Sequence, residues 1–266
     1  MTDRKEIYIE KITGSTRTRK KDLVVRETAV TIHLNNTELV TLVCSPTHLQ
    51  ELCYGFLYAE GIITAASDVT EFFINEKDGL AWVETRRPVQ AEHNFLKRHV
   101  ASCCGRGRAS FYFVNDADIE PVSGGLTIST AAIVALRSDV ERRAALFTTT
   151  GGAHGAALSD GENILCFFED VGRHNTLDKI SGWCLLQKMP ARNKVLLFSG
   201  RVSSEILLKT ARLGISVVIS RSAPTDLALE LADQLNITVV GFARGDRMNI
   251  YTRGERITGS TDGAEC

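Results

Sequence analysis

Apolar and polar residues alternate through much of the first third of the chain. The stretch "AVTIHLNNTELVTLVCS" carries two β-branched runs on either side of Asn35-Asn36 and predicts a hairpin. The next stretch, "SPTHLQELCYGFLYAEGII", changes to helical spacing, with Leu49, Leu52, Phe56 and Leu57 on one face. Ser45 is the expected N-cap, Pro46 the expected first helical residue and Gly61 the stop. Residues 69–85 read as further short strands. The turn chemistry of "NDADIEPVSGGLTIS" (115–129) marks the expected domain boundary.

Beyond that boundary, short continuous apolar runs alternate with helical patterns. "STAAIVALRSDVERRAALF" reads as helix, and "TTTGGAHGA" (148–156) as a Gly-Thr-His turn. Strands are expected at 163–171, 194–200 and "ISVVISRS", each followed by a helix. "ITVVGFARGDRMNIYT" closes as strand, loop and strand. Such alternation predicts an α/β fold whose sheet is largely parallel and covered on both faces. The expected organisation is a smaller β-rich domain over 1–122 and an α/β domain over 123–266.

The 266 residues suffice for one large domain or two modest ones. A formal net charge of -1 gives no global field for nucleic acid or an anionic membrane, so an anion site has to be local. Arg17 to Lys21, in a basic N-terminal stretch, reads as a solvated arm. No apolar run approaches the roughly 20 residues of a membrane helix, and the start lacks a signal-type apolar segment. A cytoplasmic location is the expectation, and the seven cysteines then read as thiols. Cys44, Cys53, Cys166 and Cys184 have apolar neighbours and read as small core residues.

Cys103 and Cys104 do not fit that reading. They sit in "HVASCCGRGRAS", where Gly105 and Gly107 free the backbone and Arg106 and Arg108 bring positive charge. Nearby cations lower a thiol pKa, and only the thiolate is a nucleophile. A mobile reactive thiol that accepts sulfur and delivers it elsewhere is the chemistry this suggests. Zinc is not expected: the cysteines are adjacent, and no H-x-E with P-C-x-x-C occurs.

In open α/β sheets ligands bind beyond the carboxyl ends of the strands. The segments there are "GRHN", "SGRVSS", "RSAPTD" and "ARGDR", which bring Arg173, Arg201, Arg244 and Arg247. For one loop alone, a local ion pair is the plainer reading. All four on one rim read as an anion site of nucleotide type, since guanidinium forks and helix N-termini both hold phosphate. Asp246 is an acceptor for a base or a ribose hydroxyl. His154 and His174, in loops of small residues, are candidates to titrate or bind substrate.

Together "SCCGRGR", "TTTGGAHGAAL", "EDVGRHNTLDKISG", "SGRVSSEILLK", "SAPTDLALELA" and "VVGFARGDRMNIYT" strongly resemble the formate dehydrogenase accessory protein family (FdhD/NarQ), a group of sulfurtransferases. The resemblance implies a sulfur carrier that takes persulfide sulfur from a cysteine desulfurase. It passes the sulfur to a molybdenum or tungsten bis-molybdopterin guanine dinucleotide cofactor, bound as substrate, which then enters formate dehydrogenase. It also implies a C-terminal part similar to the cytidine deaminase fold without its zinc, a homodimer, and guanine nucleotide as a mimic of the bound cofactor. The persulfide-bearing cysteine maps onto Cys104 and the cofactor-binding segment onto Phe242, Ala243, Arg244, Gly245, Asp246 and Arg247. Some members have a second cysteine three residues on; here that position is Gly107, and Cys103 is the spare thiol.

Overall fold

The computed structural model describes residues 2–86, 99–100 and 119–259. Contacts divide these into two compact units. One holds 2–86, 99–100, 144–154 and 169–186; the other holds 119–143, 155–168 and 187–259. Each unit is therefore assembled from separated segments, unlike the continuous halves 1–122 and 123–266 expected from sequence.

The first unit is built on a five-stranded sheet. Its strands are β3 (Thr28–Leu34), β4 (Thr37–Cys44), β5 (Val69–Asn75), β6 (Leu80–Thr85) and β7 (His99–Val100), in the order β5-β6-β3-β4-β7. β3 and β4 form the expected hairpin, and Asn35 and Asn36 both take positive φ (47° and 64°), as a two-residue primed turn requires. Inward residues such as Ile32, Leu42 and Val83 pack on Leu52 and Leu57 of helix α1 (Leu49–Ala59).

Helix α4 (Arg173–Leu186) explains why a later segment belongs with this unit. A Cβ at Gly55 of α1 would overlap the Asp178 carbonyl oxygen, and one at Gly182 of α4 would overlap that of Glu51. Two glycines thus let the helix backbones touch.

Two expectations for this unit are corrected. Arg17 to Lys21 are exposed, as a solvated arm requires, but they are not an arm: β1 (Arg4–Thr13) and β2 (Thr16–Val25) pair along their whole length in a two-stranded ribbon. Most of its side chains remain in solvent, and Arg19 and Lys21 flank the exposed Tyr8 ring. A two-stranded ribbon is marginal alone; β2 packs on the short helix α3 (Ala145–Thr150), and the Arg4 guanidinium donates to Thr149. Nor is Ser45 the cap of α1. It is fully buried and bonded elsewhere, and the helix starts three residues past Pro46, behind His48 at φ 55°.

The second unit carries a six-stranded sheet in the order β10-β9-β11-β12-β13-β14. The strands are β9 (His154–Ser159), β10 (Ile164–Asp170), β11 (Val195–Phe198), β12 (Val217–Ser220), β13 (Thr238–Arg244) and β14 (Arg247–Thr252). The pairs β11–β12 and β12–β13 are parallel; β9 is antiparallel to β11, and β14 to β13. The sheet is therefore mixed rather than largely parallel. A two-residue turn at Gly245-Asp246 folds β14 straight back, as no crossover helix can. Strand β9 escaped sequence reading because "HGAALS" lacks the bulky β-branched residues that signal a strand.

Helix α2 (Thr130–Arg143) covers one face, placing Ile133 and Leu136 against Val195, Leu197, Val217, Ile219 and Val240. The alternate residues Leu196, Val218 and Val239 are also fully buried, so the opposite face is covered too. Helices α5 (Ser204–Arg212) and α6 (Asp226–Gln234) pack on each other, and α6 packs on β13. The α/β class expected from sequence holds. Among the described residues, Cys44, Cys53 and Cys184 are buried thiols and Cys166 is half-buried. No helix among them is long and apolar enough to cross a membrane.

Candidate functional site

The carboxyl ends of the three parallel strands lie side by side, with Phe198 paired to Ser220. The loops beyond them are tied together by hydrogen bonds. Ser220 Oγ donates to the Gly200 carbonyl (2.7 Å), Val202 N to Ala223 O (3.1 Å), and Phe242 N to Ser222 O (3.1 Å). Ser199 Oγ accepts from Gly155 N at 2.9 Å, which adds the start of β9. Helices α5 and α6 begin directly behind these loops, so their first N–H groups open near the same edge. Thr225 caps α6 by accepting from Ala228 N, whereas Ser203 Oγ, at the start of α5, is buried and bonds no described group.

The segment 242–247 sits at this edge because β13 is bulged. Gly241 pairs with Asn249 and Arg244 with Arg247, leaving Phe242 and Ala243 opposite Met248 alone. Phe242 takes a φ of 49°, a region that is strained for a bulky side chain. The bulge turns Phe242 outward to 42% exposure, buries Ala243 completely and returns Arg244 to solvent. Gly241 must be glycine, since a Cβ there would stand 2.9 Å from the Tyr251 ring and 3.1 Å from Pro224. Gly245, at φ 58°, opens the two-residue turn to β14.

Arg201, Arg244, Asp246 and Arg247 are all exposed, the first in the loop after β11 and the others at the β13–β14 turn. Arg244 Nε donates to the Arg221 carbonyl at 3.2 Å. Beneath the turn lies Arg137 of α2, only 7% exposed, which donates to the Gly245 carbonyl (3.2 Å) and to Glu141 (3.0 Å). Burial holds its pKa below the ordinary arginine value; Arg221 and Arg244 push the same way, and Glu141 opposes them. Sequence reading nominated neither Arg221 nor Arg137. The signal for Arg137 was its place on the apolar stripe of Ile133, Leu136 and Val140, where arginine is out of character.

Arg173 lies in the first unit, at the start of α4, next in the chain to a polar cluster centred on Asp170. Asp170, fully buried, accepts there from four donors: Ser45 N (3.1 Å), Gly172 N (2.8 Å), Asn175 Nδ2 (2.8 Å) and Lys179 Nζ (2.5 Å). Lys179 is fully buried as well and reaches the Glu169 carbonyl at 3.3 Å. Ser45 Oγ accepts from Val171 N, which closes the end of β4 onto the 170–175 loop. Burial, with Asp170 adding to it, pushes the Cys44 thiol up to about 12; Cys44 is therefore inert. Burial, then Arg173 and His174, hold His154 below its ordinary value, and Asp170 opposes them. Arg173 Nε is buried without a described hydrogen-bond partner.

Cys103 and Cys104, with Arg106 and Arg108, lie outside the described residues. Among the described residues, no group of three or more histidine, cysteine or acidic side chains is placed to hold a metal.

A profile of the FdhD/NarQ family matches residues 25–258, and the chain belongs to that family. The chain is 48% identical to the sulfur carrier protein FdhD of Bacillus pumilus over 91% of its own length and 92% of the relative's. It is 45% identical to the sulfur carrier protein FdhD of Bacillus subtilis over 89% of this chain and 91% of that one. A crystal structure from Desulfotalea psychrophila, of a protein assigned as a formate dehydrogenase accessory protein, superposes with a TM-score of 0.79. It is 25% identical and covers 97% of this chain and all of its own.

Proposed function

We propose that this protein is a sulfur carrier for formate dehydrogenase. The Cys104 thiolate attacks the outer sulfur of a cysteine desulfurase persulfide. The S–S bond breaks, the desulfurase leaves as a thiolate, and Cys104 holds the sulfur as a persulfide. Arg106 and Arg108 stabilise the anionic sulfur. The sulfur then passes, with Cys104 released as the thiolate, to a molybdenum or tungsten bis-molybdopterin guanine dinucleotide, which the 242–247 segment and Arg201 hold by its nucleotide end. The observation that carries this reading is family membership, with relatives named sulfur carriers over nine-tenths of the chain. The exposed Phe242 and the arginines on one strand edge support it independently: an aromatic face and guanidinium forks are what a base and phosphates need.

The test is to incubate the reduced protein with a cysteine desulfurase and cysteine, then weigh the intact chain and the peptide carrying Cys103 and Cys104. One extra sulfur, removable by a thiol reductant, is expected on Cys104. It should persist in Cys103→Ala and vanish in Cys104→Ala. A desulfurase that turns over while the chain gains no sulfur overturns the carrier role and leaves a cofactor-binding chaperone.

A further inference from the structure

Among the described residues of the first unit, Arg173 is a cation without a counter-ion. The two acidic residues just before it are already committed. Asp170 is fully buried, accepts from four donors and is matched by the Lys179 ammonium. Both Glu169 carboxylate oxygens accept from backbone, from Leu146 N (2.9 Å) and Phe147 N (2.8 Å). Arg173 Nε is buried with no hydrogen-bond partner among the described residues, which is costly for a guanidinium until an anion completes the site. His154 and His174 stand beside it. Burial, then Arg173 and His174, lower the pKa of His154 against the pull of Asp170, so its ring is neutral near pH 7.

Strand order points to the anion. β7 is parallel to β4, with Val100 beside Leu42. β4 runs on into Ser45, whose N–H donates to Asp170 and whose hydroxyl accepts from Val171 N, and the Val43 carbonyl accepts from Asn175 Nδ2 at 2.8 Å. β7 therefore points at the 170–175 loop. Leu42 to Ser45 is three residues of near-extended chain, about 10 Å. Cys104 is four residues past Val100, a length of chain that spans up to about 14 Å.

We propose that Arg173, flanked by His154 and His174, holds the anionic sulfur of Cys104, as the thiolate before sulfur is accepted and as the persulfide afterwards. The persulfide half of this assignment rests on the carrier reading above; the thiolate half does not. The guanidinium is permanently charged and carries several N–H donors, and a thiolate or persulfide returns one negative charge. Arg106 and Arg108 belong to the cysteine's own segment and act on it wherever it lies. Arg173 is fixed at the start of α4 and acts at one place, so it decides where the sulfur rests.

The test is the pH profile of Cys104 alkylation by iodoacetamide, read by mass spectrometry on the full chain carrying Cys103→Ala, with thermal melts checking each variant's fold. The quantity is the rate near pH 7 divided by the rate near pH 10, which reports the thiolate fraction rather than access. A free peptide of residues 99–110 with the same substitution sets the reference, since it keeps Arg106 and Arg108 and lacks Arg173. The protein's ratio is expected to exceed the peptide's by at least about tenfold, Arg173→Gln to lose that excess, and Arg173→Lys to keep most of it. A protein ratio equal to the peptide's overturns the assignment whatever the variants do. A folded Arg173→Gln with the parent's ratio also overturns it, and the carrier reading then survives if a desulfurase still loads sulfur on Cys104. If the ratio depends on Arg173 but the desulfurase loads no sulfur, Arg173 stands as the partner of the thiolate and the carrier reading falls.

Discussion

A single carboxylate does most to organise the first unit at the level of residues. Asp170 joins the end of β4, the 170–175 loop and α4 through four hydrogen bonds, and among the described residues its charge is matched by the Lys179 ammonium. Both groups are fully buried, so removing one charge strands the other in a low-dielectric setting. Asp170→Asn keeps the shape and is expected to destabilise the fold by roughly 3–5 kcal/mol, read as a lower urea midpoint. Asp170→Asn combined with Lys179→Met should recover part of that loss, and no recovery would show that the hydrogen bonds rather than the charges matter. None of this was legible in the sequence. "EDVGRHNTLDKISG" reads as strand, turn and helix, but a lysine buried inside a helix is disguised by its ordinary role on a helix surface. Arg137 is the converse case: its place on an apolar stripe is visible in the sequence, while the turn it supports is not.

At the level of elements, the α1–α4 contact depends on having no side chain at two positions. Gly182→Ala would drive a methyl group into the Glu51 carbonyl, and the helices would have to separate. The expected loss is about 1–3 kcal/mol or more, seen as a lower melting temperature. Gly125→Ala, where a methyl group meets nothing within 4 Å, serves as the control and should melt like the parent. Sequence patterns located most elements well, because hairpins with Asn-Asn turns and strands of four or more apolar residues announce themselves locally. They missed β9 and the β1–β2 ribbon. One is built of small residues, and the other is too polar to show a buried face. They also placed the α1 cap at Ser45, whose backbone and hydroxyl were committed to residues far away in sequence.

At the level of the whole molecule, the α/β class and the strand-edge position of Phe242–Arg247 were legible, since loops after parallel strands follow from strand order. The division into units was not. A turn-rich segment at 115–129 looks like a boundary, yet the first unit also takes 144–154 and 169–186. Cutting at that segment therefore leaves α1 without α4. A fragment of residues 1–122 is expected to lack a cooperative thermal transition by circular dichroism, and a sharp transition would show that the sheet and α1 suffice. The same division bears on how the protein is made. A ribosome releases the chain from its N-terminus, and domains tend to fold as they emerge. Here the first unit stays open until residue 186 is out, with the glycine face of α1 on the nascent chain throughout, so the part translated first is not the part that can finish first.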